Sequence, residues 1–252
     1  MIDTHCHLTD PRLLSQIDDV LTRAAAVNVT KVVTISTDLA DARFCLDVCR
    51  GRDNVRFTVG IHPNNLAESH LTDIDAFRDM LPNPAVVGIG EIGLDYHYET
   101  DRARQRTFFE AQLALAQELQ RPVVIHCREA VDDTLAVMKN FHLLRAVFHC
   151  YTGTKVEAKK IIEAGHWLGY TGVVTYKNAD EQRRAIEVTP IDRLLVETDA
   201  PYLSPEPHRK QRVNEPALVI HTARQVAKLK GIPYDEFDII TTANALRFYD
   251  WT

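Results

Sequence analysis

The chain has 252 residues, 45% of them hydrophobic, and a formal net charge of −6. That size suits one large core as readily as two smaller ones. The acidic balance argues against a broad basic surface for nucleic acid, although a local basic rim or metal-mediated phosphate binding stays open. No apolar run is long enough to cross a bilayer, Met1 already begins the first strand pattern, and the five cysteines are odd in number. The expectation is therefore a soluble, cytoplasmic protein with no membrane contact; the sequence does not fix its oligomeric state, for which a monomer is the expectation.

Apolar periodicity predicts strands and helices in alternation. A strand near 1–5 leads to a helix near 13–27, announced by Asp10 before Pro11, and a strand near 31–36 leads to a helix near 38–49 behind Thr37-Asp38. Strand 55–60 precedes helix 71–80, strand 86–90 precedes helix 102–119, and strand 122–127 precedes helix 129–140. Strands near 145–149, 167–171 and 193–197 follow, with helices near 154–164, 180–188, 216–230 and 235–248. Such alternation needs a parallel sheet with crossover helices. An α/β chain of this kind is expected to form a single (β/α)8 TIM barrel over residues 1–252.

Six side chains that bind metal stand at or just past strand ends: His5, His7, Glu91, His126, His149 and Asp199. In His5-Cys6-His7 the two-residue repeat of a strand points both imidazoles to one side. A doubly wound open sheet would build its site from two or three loops at one crevice. Ligands from the first, fourth, fifth, sixth and eighth strands call instead for a closed ring with the metal site at the C-terminal rim.

Nitrogen and oxygen donors suit zinc, manganese, iron, cobalt or magnesium. Six ligands exceed one catalytic site, so two divalent ions are expected, sharing Glu91 as a bridge and activating a metal-bound hydroxide. Asp199 is the natural proton acceptor. Glu197, two residues earlier on the same strand face, is read as orienting a ligand histidine, and Asp95 fits either part. Cys6, Cys127 and Cys150 each follow a candidate histidine and by alternation point into the helix layer as structural thiols.

Substrate-side candidates surround this set. His62, in Gly60-Ile61-His62-Pro63, could contact a phosphate or the activated water, or brace its loop. Arg128 could clamp an oxyanion or pair with a neighbouring loop. Tyr151 could stack on a base or close its own loop. Arg209, Lys210 and Arg212 follow Asp199 and either meet an anionic substrate or form a solvated face.

Taken together, the segments Ile2-Asp3-Thr4-His5-Cys6-His7-Leu8, Gly60-Ile61-His62-Pro63, Gly90-Glu91-Ile92-Gly93-Leu94-Asp95-Tyr96, Val124-Ile125-His126-Cys127-Arg128-Glu129-Ala130, Phe148-His149-Cys150-Tyr151-Thr152-Gly153, Glu197-Thr198-Asp199-Ala200-Pro201-Tyr202-Leu203 and Asn214-Glu215-Pro216 resemble the TatD family of metal-dependent deoxyribonucleases, barrels of the amidohydrolase type. Asn244-Ala245-Leu246-Arg247-Phe248 matches the family's terminal pattern. The resemblance spans almost the whole chain. It implies a (β/α)8 barrel, a divalent metal site, hydrolysis of DNA phosphodiester bonds, often as a 3′ exonuclease, and ligand roles for the same six residues. Two departures stand out: Leu8-Thr9 occupies the place where an acidic residue is common, and His208-Arg209-Lys210-Gln211-Arg212 lacks the family's glycine.

The expected function is hydrolysis of single-stranded DNA through a dinuclear centre. The alternatives are an ester or amide hydrolase, such as an aminoacyl-tRNA deacylase, and a catalytically idle barrel associated with nucleic acid.

Overall fold

The computed structural model describes residues 1–98, 100–143 and 145–251. Its elements run β1 (Ile2–Cys6), α1 (Pro11–Leu14), α2 (Ile17–Ala26), β2 (Lys31–Ile35), α3 (Leu39–Cys49), β3 (Val55–Val59), α4 (Asp73–Met80), β4 (Val86–Asp95), α5 (Arg102–Leu119), β5 (Val123–Arg128), α6 (Val131–Met138), β6 (Ala146–Phe148), α7 (Lys155–Glu163), β7 (Trp167–Tyr170), α8 (Asp180–Val188), β8 (Leu194–Val196), α9 (Val219–Lys230) and α10 (Tyr234–Tyr249). The eight strands form one sheet in the order β1 to β8, the sequential order of the (β/α)8 barrel class. Among the described residues no helix is long and apolar enough to cross a membrane.

Several boundaries shift by one or two residues, as at α6 and β6, and four departures have a visible cause or bear on the site. The helix expected over 13–27 is broken into α1 and α2, because Ser15 and Gln16 turn their side chains back onto the carbonyls of Pro11 and Arg12 and Gln16 leaves the helical basin at φ −135°. The helix expected from 216 begins as a 3₁₀ turn, Pro216–Leu218, before α9. Strand β4 continues past residue 90 to Asp95, paired with β5 through Gly93↔His126 and Asp95↔Arg128. That pairing needs glycine at 93, where a Cβ would lie 1.9 Å from the His126 carbonyl oxygen. Strand β8 stops at Val196 and Asp199 sits at φ 55°, so strand alternation does not relate Glu197 to Asp199.

By internal contacts the chain forms two compact units, Met1–Thr34 with Cys150–Thr252, and Ile35–His149. In the first, β1 pairs in parallel with β2 and β7 with β8. Cys6 bridges to Ala200 beyond β8, and the amides of His7 and Asp199 donate to Ala200 and His5 carbonyls at 2.7 and 2.9 Å. The core of this unit holds Tyr170, Phe237 and Phe248, each fully buried. Two buried asparagines clamp its irregular chain: Asn244 donates to the Ile191 and Leu194 carbonyls, and Asn214 to those of Thr198 and Tyr202. Each supplies donors that pleated backbone would otherwise provide, and truncating either would strand buried carbonyls at a cost of about 1–3 kcal/mol.

In the second unit, α5 performs the same task with two glutamines seven residues, or two turns, apart on one face. Gln105 accepts from the Asp95 amide at 2.9 Å and donates to the Asp95 carbonyl at 2.8 Å. Gln112 accepts from the Ile61 amide at 2.7 Å and donates to the Ile61 carbonyl at 3.3 Å. Both glutamines are 1% exposed, and both hold backbone directly beside a candidate functional side chain, Asp95 itself and His62. The cysteine thiols meet packing neighbours: Cys6 donates to the Val33 carbonyl, Cys127 lies 3.4 Å from the Thr134 hydroxyl and Cys150 3.6 Å from that of Thr171.

Candidate metal centre

In the first unit, β1 delivers His5, and the residue just beyond it delivers His7. Their rings lie 5.2 Å apart at 77°. Asp199 Oδ1 is 3.6 Å from His5 Nε2 and 3.4 Å from His7 Nε2. The left-handed backbone of Asp199 turns its carboxylate toward them, a conformation that aspartate tolerates better than most residues and that here is fixed by the bond to the His5 carbonyl. Below this group, Asp3 accepts from the Thr198 hydroxyl at 2.6 Å and amide at 2.9 Å, which ties the chain after β8 to β1. Burial pushes the Asp3 carboxyl up to about 8, against the lowering effect of the Thr198 bonds. Glu197 accepts from the Cys150 amide at 2.6 Å and from the Thr4 hydroxyl at 3.3 Å.

The second unit gathers His62, Glu91, Asp95, His126 and His149. One oxygen of the nearly buried Glu91, Oε1, lies 2.7 Å from His126 Nδ1, 2.5 Å from His149 Nε2 and 3.4 Å from His62 Nε2. Burial alone would raise the Glu91 pKa, but the surrounding imidazoles of His149, His62 and His126 outweigh it and hold the carboxyl well below its usual range. His126 faces Glu91 with Nδ1 and Asp95 Oδ2 with Nε2, the latter at 3.0 Å. Burial opposes protonation of His126, and the bonds to Asp95 and Glu91 reverse that effect, raising its pKa. The His62 pKa is lowered, chiefly by burial, against the raising effect of Glu91. Asn64 supports the arrangement, donating from its amide to His62 Nδ1 at 3.0 Å and from its side chain to Asp95 Oδ2 at 2.9 Å.

All six sequence-predicted ligands thus fall into these two groups, with His5, His7 and Asp199 in one and Glu91, His126 and His149 in the other. The donors suit a divalent ion: in each of the sets His5–His7–Asp199 and His62–Glu91–His126, one ligand atom per residue lies within 4.8 Å of the others. Imidazole nitrogens with carboxylate oxygens match zinc, manganese, iron or cobalt chemistry. His62, expected on the substrate side, is placed inside a donor group. Asp95 is placed to orient His126, since its oxygen meets the ring nitrogen that faces away from Glu91.

The remaining expectations divide. Tyr151 is 5% exposed and its hydroxyl donates to the Thr154 carbonyl at 2.5 Å, so it closes its loop and has no face for a base. Arg128 is exposed, with its guanidinium 5.5 Å from the ring centre of Tyr98. Arg209, Lys210 and Arg212 are exposed on the irregular chain after β8, and Arg209 stacks on Tyr176 at 4.0 Å. Two side chains escaped the sequence reading: Asn64, whose only signal is its place two residues after His62, and Tyr202, which stands three residues after Asp199.

Residues 2–250 match the family model described as TatD related DNase. The metal-dependent hydrolase YcfH of Escherichia coli K12 is 37% identical over 255 residues, covering 99% of this chain and 95% of that protein. The 3′-5′ ssDNA/RNA exonuclease TatD of Erwinia amylovora is 34% identical over 253 residues, covering 97% of this chain and 98% of that protein. Among solved structures, YJJV, a TatD homolog from Escherichia coli K12, shares the fold with a TM-score of 0.94 at 27% identity, covering 99% of this chain and 98% of that one.

Proposed function

The chain belongs to the TatD related DNase family of metal-dependent hydrolases, and from that premise we propose that it shortens single-stranded DNA from the 3′ end. The observation that carries this reading is the pair of nitrogen-and-oxygen donor groups, His5–His7–Asp199 and His62–Glu91–His126. We assign one divalent ion to each group, with His149 completing the second, and a single functional domain over residues 1–252. Ions bound there would acidify a water molecule and neutralise charge on a phosphodiester. The protein's own share is to hold and to move protons: Glu91 and the imidazoles fix the donor geometry, Asp95 sets the His126 ring, and Asp199 takes the proton from the attacking water. Arg128, Arg209, Lys210 and Arg212 are assigned to the phosphates of the strand. The relative from Erwinia that is named an exonuclease of single-stranded DNA and RNA supports this choice of polymer, and we place the working protein in the cytoplasm as a monomer.

The test is a metal-supplemented assay with end-labelled single-stranded DNA, RNA and a generic ester side by side. A ladder of products shortened from the 3′ end, lost in His126→Ala, is expected. Hydrolysis of the ester with every oligonucleotide left intact would overturn the assignment in favour of an ester or amide hydrolase.

A further inference from the structure

We propose that Tyr202, backed by Arg12, is the platform on which a nucleobase of the strand stacks; the assignment rests on the nuclease reading above and adds to it a base-binding subsite. Tyr202 is 48% exposed, although its backbone is held firmly. Its amide donates to the Asp199 carbonyl at 2.9 Å and its carbonyl accepts from Asn214 at 2.6 Å. The ring stands beside a donor group, 6.2 Å from His7 at 72°. An aromatic ring left in water gives up the burial that normally stabilises it. Fixing it there keeps a stacking surface whose ordering cost is already met before a ligand arrives.

Arg12 shows what kind of ligand the ring suits. Its guanidinium carbon lies 4.6 Å from the Tyr202 ring centre, and Asp10 grips it from the other side through Nε at 2.8 Å and Nη2 at 2.7 Å. With its charge answered by Asp10, Arg12 acts as a planar backing for the ring more than as a phosphate clamp. The remaining ring face is apolar and planar, and the single phenolic hydroxyl on its edge, which meets Arg12, offers no pattern of donors and acceptors that would select one base. That is the chemistry of sequence-tolerant recognition, in which each base–aromatic stack contributes about 1–3 kcal/mol. Tyr151, the tyrosine that strand position alone would favour, is buried and cannot do this.

The test uses the full-length protein and two uncleavable probes, a phosphorothioate oligothymidylate and an abasic phosphorothioate strand of equal length. Tyr202→Ala and Tyr202→Leu are each expected to weaken binding of the base-bearing strand by about 5- to 150-fold, the range given by the stacking energies. Binding of the abasic strand and the salt dependence of both should stay as in the unmodified protein, because no phosphate contact is lost. Tyr202→Phe should restore binding, and metal content and thermal midpoint should match the parent in all three variants. Equal loss on both strands, or no loss, overturns the platform. If the parent shortens DNA yet does not prefer bases to abasic sites, the platform falls and the nuclease reading stands. If it neither binds these strands nor shortens unmodified single-stranded DNA, both fall.

Discussion

His126 Nε2 lies 3.0 Å from Asp95 Oδ2, so the ring enters its donor group with its orientation already set by a carboxylate that is 1% exposed. Asp95 is itself held below the usual carboxylate range: burial would raise it, but the bonds from His126 and Asn64 prevail. Asp95→Asn should lower metal affinity or turnover by about 10- to 100-fold, the usual worth of such an orienting partner. Titration of the divalent ion into the metal-stripped protein, alongside hydrolysis rates, checks this. Parent-like affinity and rate together would reduce Asp95 to a structural residue.

Asp199 is expected to act differently from the histidines. Asp199→Asn retains an oxygen donor and loses the base, so bound metal should persist while turnover drops by about two to four orders of magnitude. His5→Ala should remove metal along with activity. Metal analysis of the two variants separates the roles, and simultaneous loss of metal and rate in Asp199→Asn would make Asp199 chiefly a ligand.

The exposed cations after β8 make a prediction about salt. Replacing Arg209, Lys210 and Arg212 with Ala should weaken binding of single-stranded DNA and flatten its dependence on ionic strength, because fewer counterions are released. A neutral ester should be insensitive to the change. Binding isotherms at several salt concentrations give the slope, and an unchanged slope would place these side chains on an ordinary solvated face.

His166, where α7 leads into β7, is pushed down to about 4 by burial, with Arg193 adding to the effect. The unfolded chain, near the ordinary value of 6.5, therefore binds this proton more readily than the folded one. The stability His166 contributes is complete above pH 6.5 and is lost as pH falls through about 4. Thermal unfolding measured across that window should show a shallower acid decline for His166→Gln than for the parent. Identical slopes would assign the decline to other groups.

Much of the architecture was legible because period and punctuation agreed. His5 and His7 follow a β-branched, apolar opening, and Thr154 with Glu157 forms a capping box at the start of α7, where the sequence places a helix. The six candidate ligands stand out because polar residues at the ends of apolar runs are conspicuous. Asp95 was harder: the polar Glu91 closes the apolar run at residue 90, while β4 itself runs on, buried throughout, to Asp95. Tyr151 and Tyr202 could not be ranked from sequence, since both follow a ligand closely and only the packed loops decide which ring is covered. The glutamines of α5 were invisible for a related reason. A buried Gln on a helix reads as a flaw in an apolar face until the backbone it serves is known.

Those two glutamines turn α5 into a ruler. Because Gln105 and Gln112 grasp the backbone at Asp95 and Ile61 from one face of the helix, the number of residues between them is part of the metal centre's specification, although neither touches a donor atom. Each residue advances a helix by about 100°, so a single insertion or deletion between them would swing one grip away from its strand while leaving every ligand in the sequence intact. A change of length that an exposed loop would absorb would, within this stretch of α5, displace the backbone beside Asp95 or His62.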